Sequence, residues 1–332
     1  MEKVSLKVIA NQVGVSIATV SLVLNGKNKN GRVSAETSKK ILDKAAELNY
    51  MPNSLAKGLR MGRSKSIGLI VADISNSFFG TLALHIQKYA EKEGYIVIIA
   101  NTNEQLDEME KMIRFLNAHQ VDGLILVPAE DGETLVKKLI DAKIPLVLVD
   151  RNYPFIDVDS VTINNFEVSN IAVKELIKKG CENIAFITYK EKHHHIDERK
   201  RGYEVALKAE GIFKENNILE VRYEFLKTDI EKAISTLIRR NPKIDGYFFA
   251  TNSISILSVK QLLKNNIDIF NDVKIMCFDE NEAYHLLPYS LPYIKQPIEK
   301  MAKQSIESIV DQIEKRKEYF KNNIIQAELI TD

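Results

Sequence analysis

The chain is poor in cysteine: Cys181 and Cys277 are the only two among 332 residues, they lie far apart, and no CxxC spacing is present. That offers neither a disulfide framework nor a thiolate zinc site, and it fits a reducing compartment with both thiols buried or nearly so. Long apolar runs are also missing. Nothing approaches the ~20 consecutive apolar residues of a membrane helix, and the first residues, Met1-Glu2-Lys3-Val4-Ser5-Leu6, lack the apolar core and small-residue cleavage site of a signal peptide. A cytoplasmic chain without a membrane partner is expected. Enzyme signatures are missing too: there is no GxGxxG after a strand, no GxxxxGK followed by Ser or Thr, no HExxH and no GxSxG. No catalytic residue and no cofactor is expected.

What is present is an uneven charge. The formal net charge is only +1, yet residues 1–65 hold 12 Lys and Arg against 4 Asp and Glu, and the remainder holds 34 against 41. The cation excess is confined to one N-terminal segment, as suits a head that binds a polyanion by displacing condensed counterions. Charge alone also fits a solvated basic face with no partner.

Helical periods fill that segment. Ser5 reads as an N-cap, Leu6, Ile9, Ala10 and Val13 recur at helical spacing, and Gly14 stops the run. Ser16 caps a second helix that buries Val20, Val23 and Leu24 and leaves Ile17, Ala18, Ser21 and Leu22 on its outer face, until Asn25-Gly26 ends it. After a Lys- and Asn-rich loop, Ser34 caps a third helix marked by Ile41, Ala45 and Leu48. Two short helices joined by a Gly-containing turn and braced by a third make a helix-turn-helix, whose second helix fits a major groove, although any small three-helix bundle shows the same periods.

From residue 66 the pattern becomes short apolar strands alternating with amphipathic helices. Strands are expected at 67–72, 95–100, 123–127 and 145–149, then at 184–187, 246–250 and 273–278, with helices of the second series near 166–179, 198–211, 229–240 and 254–266. Such βαβ order implies parallel sheets. The expected fold is α/β: a three-helix head on residues 1–50, a short helix and linker on 51–65, and on 66–332 a hinged clamshell of two doubly wound parallel-sheet subdomains. One subdomain takes about 66–163 and 292–325, the other about 164–291 and 326–332. Ligands of open parallel sheets bind beyond the carboxyl ends of the strands. The residues there are polar: Asp73 with Asn76, Asn101, Asp150 with Arg151, Asn252 and Asp279, with Phe78 and Phe79 as aromatic faces. Converging carboxylates and amides can hold several hydroxyls, as a sugar or nucleoside requires, whereas any one of them alone is an ordinary cap or loop residue.

The run Gly14-Val15-Ser16-Ile17-Ala18-Thr19-Val20-Ser21, then Asn25-Gly26, Val33-Ser34-Ala35-Glu36-Thr37, Tyr50-Met51-Pro52-Asn53 and Asp73-Ile74-Ser75-Asn76, resembles the LacI/GalR (lactose-repressor) family of bacterial transcription regulators. The resemblance spans essentially the whole chain. It implies a homodimer on a roughly palindromic double-stranded operator, controlled by a small molecule, most simply a sugar, in the body's cleft. By the same resemblance Ile17, Ala18 and Leu22 face base edges. Ser16, Thr19, Ser21 and Asn25 complete the DNA-contacting set, and Asn53, Ala56 and Leu59 belong to a hinge helix that wedges into the minor groove. Arg199, of Arg199-Lys200-Arg201-Gly202-Tyr203, would bind effector, and Phe225 falls where an aromatic lines the pocket; Cys277-Phe278-Asp279 and Gln296-Pro297 match further segments. Leu22 departs from the family's usual Arg, so guanine readout is lost there. Asn252-Ser253 stands where many members have Asn-Asp, which removes one acid.

Three histidines in a row, His193-His194-His195, invite a metal reading, but consecutive residues of a helix or strand cannot all face one ion and no HxxxH supports them. A solvent-exposed loop with His193 at the pocket mouth is expected. The rival functions are a nucleoside- or purine-responsive regulator of the same kind, a solute-binding protein sharing the clamshell, and an architectural DNA-binding protein whose body senses nothing.

Overall fold

The computed structural model describes residues 5–26, 28, 31–50, 63–240, 243–315 and 320–331. Two compact units divide the chain, Met1–Ser64 and Lys65–Asp332.

In the first unit α1 (Leu6–Val13), α2 (Ile17–Leu24) and α3 (Ala35–Glu47) enclose Ile9, Ala10, Val20, Val23, Ile41 and Ala45. Full burial of Ile9 and Ile41 contributes on the order of 2 kcal/mol each. Gly14 ends α1 in the left-handed region at φ 73, where a Cβ is disfavoured, and this turn sets α1 and α2 at 108° to one another. Ser16 Oγ accepts from the Thr19 amide at 3.1 Å and Ser34 Oγ from the Thr37 amide at 3.2 Å, so both expected caps form. Ser5 precedes α1 as expected, but its side chain makes no capping hydrogen bond. The hinge residues Asn53, Ala56 and Leu59 lie outside the described residues. No single described helix is long and apolar enough to cross a membrane.

The second unit holds two six-stranded sheets. In the first, the order is β11-β5-β4-β3-β1-β2, with β1 (Ser66–Val71), β2 (Ile96–Asn101), β3 (Gly123–Leu126), β4 (Leu146–Val149), β5 (Asp159–Ile163) and β11 (Asn322–Ile325), all parallel. In the second, the order is β12-β10-β9-β8-β6-β7, with β6 (Ile184–Tyr189), β7 (Ile218–Val221), β8 (Gly246–Phe249), β9 (Lys274–Phe278), β10 (Tyr293–Lys295) and β12 (Glu328–Ile330). Only the β10–β12 pairing is antiparallel. Helices cover both faces, which is why central strands such as GLIL of β3 and LVLV of β4 are apolar at every position rather than at alternate ones. These helices are α4 (Ser77–Lys92), α5 (Leu106–Ala118), α6 (Glu133–Asp141), α7 (Asn165–Lys178), α8 (His194–Ala209), α9 (Leu226–Ile238), α10 (Asn252–Lys264) and α11 (Ile298–Ile313).

The chain passes between the lobes three times, after Ile163, between Lys295 and Ile298, and between Ile325 and Glu328. The second passage corrects the expected boundary near residue 291. Tyr293 and Ile294 pair with Cys277 and Phe278 of β9, so β10 is a strand of the second sheet, and the first lobe resumes only at α11. There Gly123 has no Cβ to meet Ile309 Cδ1, which would lie 2.9 Å away, and α11 seats directly on β3.

Candidate functional site

On the first unit, α2 presents its outer face as expected. Ile17 is 48% exposed although it is a large apolar side chain, Ala18 is exposed beside it, and Ser21 and Leu22 are half-buried one turn on. Ile17 and Ala18 take no part in the core that Ile9, Val20 and Ile41 form. The polar positions have local work as well. Ser16 and Thr19 share a 2.8 Å hydroxyl hydrogen bond at the helix start, and Asn25 Nδ2 donates to Ser21 O at 2.7 Å at its end.

On the second unit, the loops following the strands of both sheets converge on one cavity with a free volume of about 70 Å³. Asp73, Asn76, Phe78, Phe79, Asp150, His193, Arg199 and Asp279 line it, eight of the eleven positions read from the sequence. Strand ends explain Asp73, Asp150 and Asp279 among these. Asp150 and Asp279 follow β4 and β9 directly and stand in the left-handed region, at φ 68 and φ 66, which turns the backbone so that each carboxylate faces the cleft.

Two arginines form the floor. Arg199, on α8, is 2% exposed; its Nε donates to Asn165 Oδ1 at 2.8 Å, its Nη1 donates to Ala250 O at 2.7 Å, and its guanidinium lies 3.4 Å from the Phe278 ring centre. Burial pulls its pKa down to about 10, against the attraction of Asp279 and Asp150. Arg151 donates from both Nη atoms to the two Glu104 oxygens at 2.5 Å, a bidentate pair, and its Nε lies 3.6 Å from Asp150. Burial disfavours both charges, but the pairing overcomes it, holding Glu104 below and Arg151 above their ordinary ranges. Burial pushes Asp150 up to about 6 and raises Asp279, whose Oδ1 accepts from Gln296 Nε2 at 2.6 Å.

Hydrogen bonds join the lobes around the rim. Asn76 and Asn252 exchange amide hydrogen bonds at 3.1 and 2.8 Å, and Tyr223 Oη donates to Asp73 at 2.9 Å. Lys192 N donates to Glu130 at 2.9 Å. Inside, His195 Nδ1, Glu191 Oε2 and Gln296 Oε1 are buried and carry hydrogen-bonding capacity that no protein group uses. Hydroxyl groups, which donate and accept at once, suit that mixture.

Four expectations are corrected. Phe225 does not line the cavity: it is 48% exposed, under the Arg222 guanidinium at 4.4 Å, and the aromatic facing the cleft is Tyr223, two residues earlier. A short 3-10 helix over Tyr223–Phe225 turns the two rings apart, and residue spacing alone cannot show that turn. Asn101 stays outside the cavity as well; its Oδ1 accepts from Ile74 N at 2.8 Å and so shapes the loop that carries Asp73. The histidine run is not an exposed loop. His193 stands at the N-cap position of α8 without a side-chain capping hydrogen bond, His195 is buried within the first turn, and only His194 is exposed. Burial first, then Arg151, drives the His193 pKa down to about 3, and burial with Arg199 lowers His195, so both rings are neutral. Asn252 is buried at the rim and meets Asn76 rather than the cavity. Sequence reasoning passed over Glu104, Glu130 and Glu191, which the folded loops bring in, and Tyr189, which ends β6.

Comparison with known proteins agrees with this geometry. Residues 5–53 match the model described as bacterial regulatory proteins, lacI family, and residues 64–332 match that of periplasmic binding proteins and the sugar binding domain of the LacI family. The ribose operon repressor of Halalkalibacterium halodurans is 31% identical over 94% of this chain and 91% of its own length. The HTH-type transcriptional regulator RegA of Clostridium saccharobutylicum is 29% identical over 98% of this chain and 97% of its own. Among solved structures, the lac repressor dimer bound to operator and the anti-inducer ONPF superposes with a TM-score of 0.86 at 19% identity, over 99% of this chain and 98% of that one, a likeness of fold.

Proposed function

Because the chain belongs to the lacI family of bacterial regulatory proteins, it is a ligand-controlled DNA-binding transcription regulator, and we propose that its effector is a single monosaccharide bound between the lobes of the second unit. The observation that carries this reading is the cavity itself. Arg199, Asp150 and Asp279 converge from α8, β4 and β9 of two different sheets, and Phe78 and Phe79 supply apolar faces. Such a set orders hydroxyls around a ring and covers its C–H side. The name of the ribose operon repressor points the same way for a relative.

On this reading the chain acts inside the cell as a homodimer, and most simply as a repressor. Ile17, Ala18 and Leu22 read base edges in the major groove, while Ser16, Thr19, Ser21 and Asn25 hold the backbone. Asn53, Ala56 and Leu59 act at the minor groove. Effector and operator affinities are linked, so each changes the other by one common factor.

The test is fluorescence anisotropy of the full chain on DNA fragments flanking its own gene, across a salt series and with a panel of pentoses, hexoses and nucleosides. One fragment should bind tightly with affinity falling steeply as salt rises. One monosaccharide should shift that affinity by roughly fivefold or more. If a nucleoside alone shifts it, the effector class is wrong; if nothing on the panel does, the cavity is not the sensor.

A further inference from the structure

We infer that Glu104 sets the charge specificity of the cleft: by occupying both Nη atoms of Arg151 it withdraws that cation from ligands, so the cleft takes an uncharged polyhydroxy ligand and rejects its phosphorylated or carboxylated counterparts. This rests on the cavity being the effector site.

Glu104 is held in place by its backbone. It follows Asn103, and the two stand consecutively in the left-handed region at φ 51 and φ 61, a conformation that ordinary side chains adopt only when the surroundings enforce it. The Glu104 amide donates to Ala72 O at 3.2 Å, which ties this turn to the end of β1. The result carries a carboxylate over the sheet edge into the cavity wall, where its side chain is 15% exposed against 9% for Arg151. A bidentate pair buried to that degree costs a competing anion two hydrogen bonds and a repulsion before it gains any.

The charge of the other cation is balanced: Arg199 donates from Nε and Nη1 to Asn165 and Ala250 O, lies over the Phe278 ring, and has Asp150 and Asp279 as its counter-charges. The cavity wall carries three more carboxylates, Asp73, Glu130 and Glu191. The lining therefore holds six carboxylates against two guanidinium groups, and its two histidines are neutral. An entering phosphate meets net negative charge where charges act over a few ångströms in a weakly screened space. A hydroxyl meets acceptors to which it can donate.

The experiment is thermal unfolding of the full chain, followed by circular dichroism, in a titration with inorganic phosphate at constant ionic strength. Three forms are compared: wild type, Glu104→Gln, and the double variant Glu104→Gln with Arg151→Gln. Phosphate binding to the basic N-terminal segment is common to all three and cancels. Wild type should respond no more than the double variant. Glu104→Gln, which keeps the shape and frees Arg151, should gain a saturable stabilisation with an apparent phosphate affinity at least tenfold above wild type. A wild type stabilised beyond the double variant overturns the inference, as does a Glu104→Gln form that gains nothing over it. If the single variant does not fold, the first comparison still decides, because the double variant removes both charges and leaves neither buried alone. Failure of the effector reading is seen separately, as no sugar altering operator binding whatever phosphate does.

Discussion

Acid should weaken the second unit through its buried histidines, beginning with His193. In the unfolded chain His193 takes up a proton below its ordinary pKa near 6.5, whereas in the fold burial and the neighbouring Arg151 hold it neutral down to about 3. A group whose folded pKa is depressed contributes stability that is complete above the unfolded value and is lost as pH falls toward the folded one. Between about pH 7 and about pH 5 the loss from His193 is about 2 kcal/mol, at about 1.4 kcal/mol per pH unit once the unfolded ring is charged. His195, lowered by burial and Arg199, adds to it in the same direction. Asp150 works the other way. Burial raises its pKa to about 6, so its contribution is complete in acid and disappears as pH rises through that value, and it returns about 1 kcal/mol over the same interval. The net expectation is a loss of at least about 1 kcal/mol from these groups, with His193→Asn removing about 2 kcal/mol of the acid sensitivity. Urea denaturation of the full chain at the two pH values measures it; circular dichroism is the suitable signal, since the chain has no tryptophan. A wild type equally stable at both values, or a His193→Asn variant with undiminished acid loss, refutes the reasoning.

Two further outcomes follow from local geometry. Gly202→Ala should destabilise the second unit by about 2 to 3 kcal/mol in the same urea assay, because the added Cβ would lie 2.6 Å from Phe166 O and 2.8 Å from Ser169 Cβ, and backbone must move where α7 and α8 cross. Tyr223→Phe should weaken effector binding several-fold by removing the hydroxyl that reaches Asp73 at 2.9 Å, while Phe225→Ala leaves affinity within about twofold; calorimetric titration with the effector sugar compares them, and the reverse order would restore Phe225 to the site.

Much of the fold was legible because its signals are local. The start and stop of α1, α2 and α3 follow from Ser16, Ser34, Gly14 and the spacing of Ile9, Val20 and Ile41, each of which acts within a few residues. The central strands are recognisable because they are apolar throughout. The C-terminal strands are not: β11 (NNII), β12 (ELI) and β10 (YIK) are too short to show a period, and it is their pairing with distant strands that makes them strands at all. The misplaced second passage between the lobes has this cause.

The candidate site divides along the same line. Asp73, Asp150 and Asp279 could be named from the sequence because the end of a parallel strand is itself readable, and chain direction then fixes which end faces the ligand. The charge split between residues 1–65 and the rest, and with it the polyanion-binding head, was likewise a property of the sequence alone. Only tertiary structure decided that Glu104 reaches Arg151 across 47 residues, that Tyr223 rather than Phe225 turns inward, and that His193 and His195 are buried and neutral. Caps, periods and strand ends are set by neighbours in the chain, whereas burial and ion pairing are set by neighbours in space, and desolvation by those neighbours determines which charges remain for a ligand to meet.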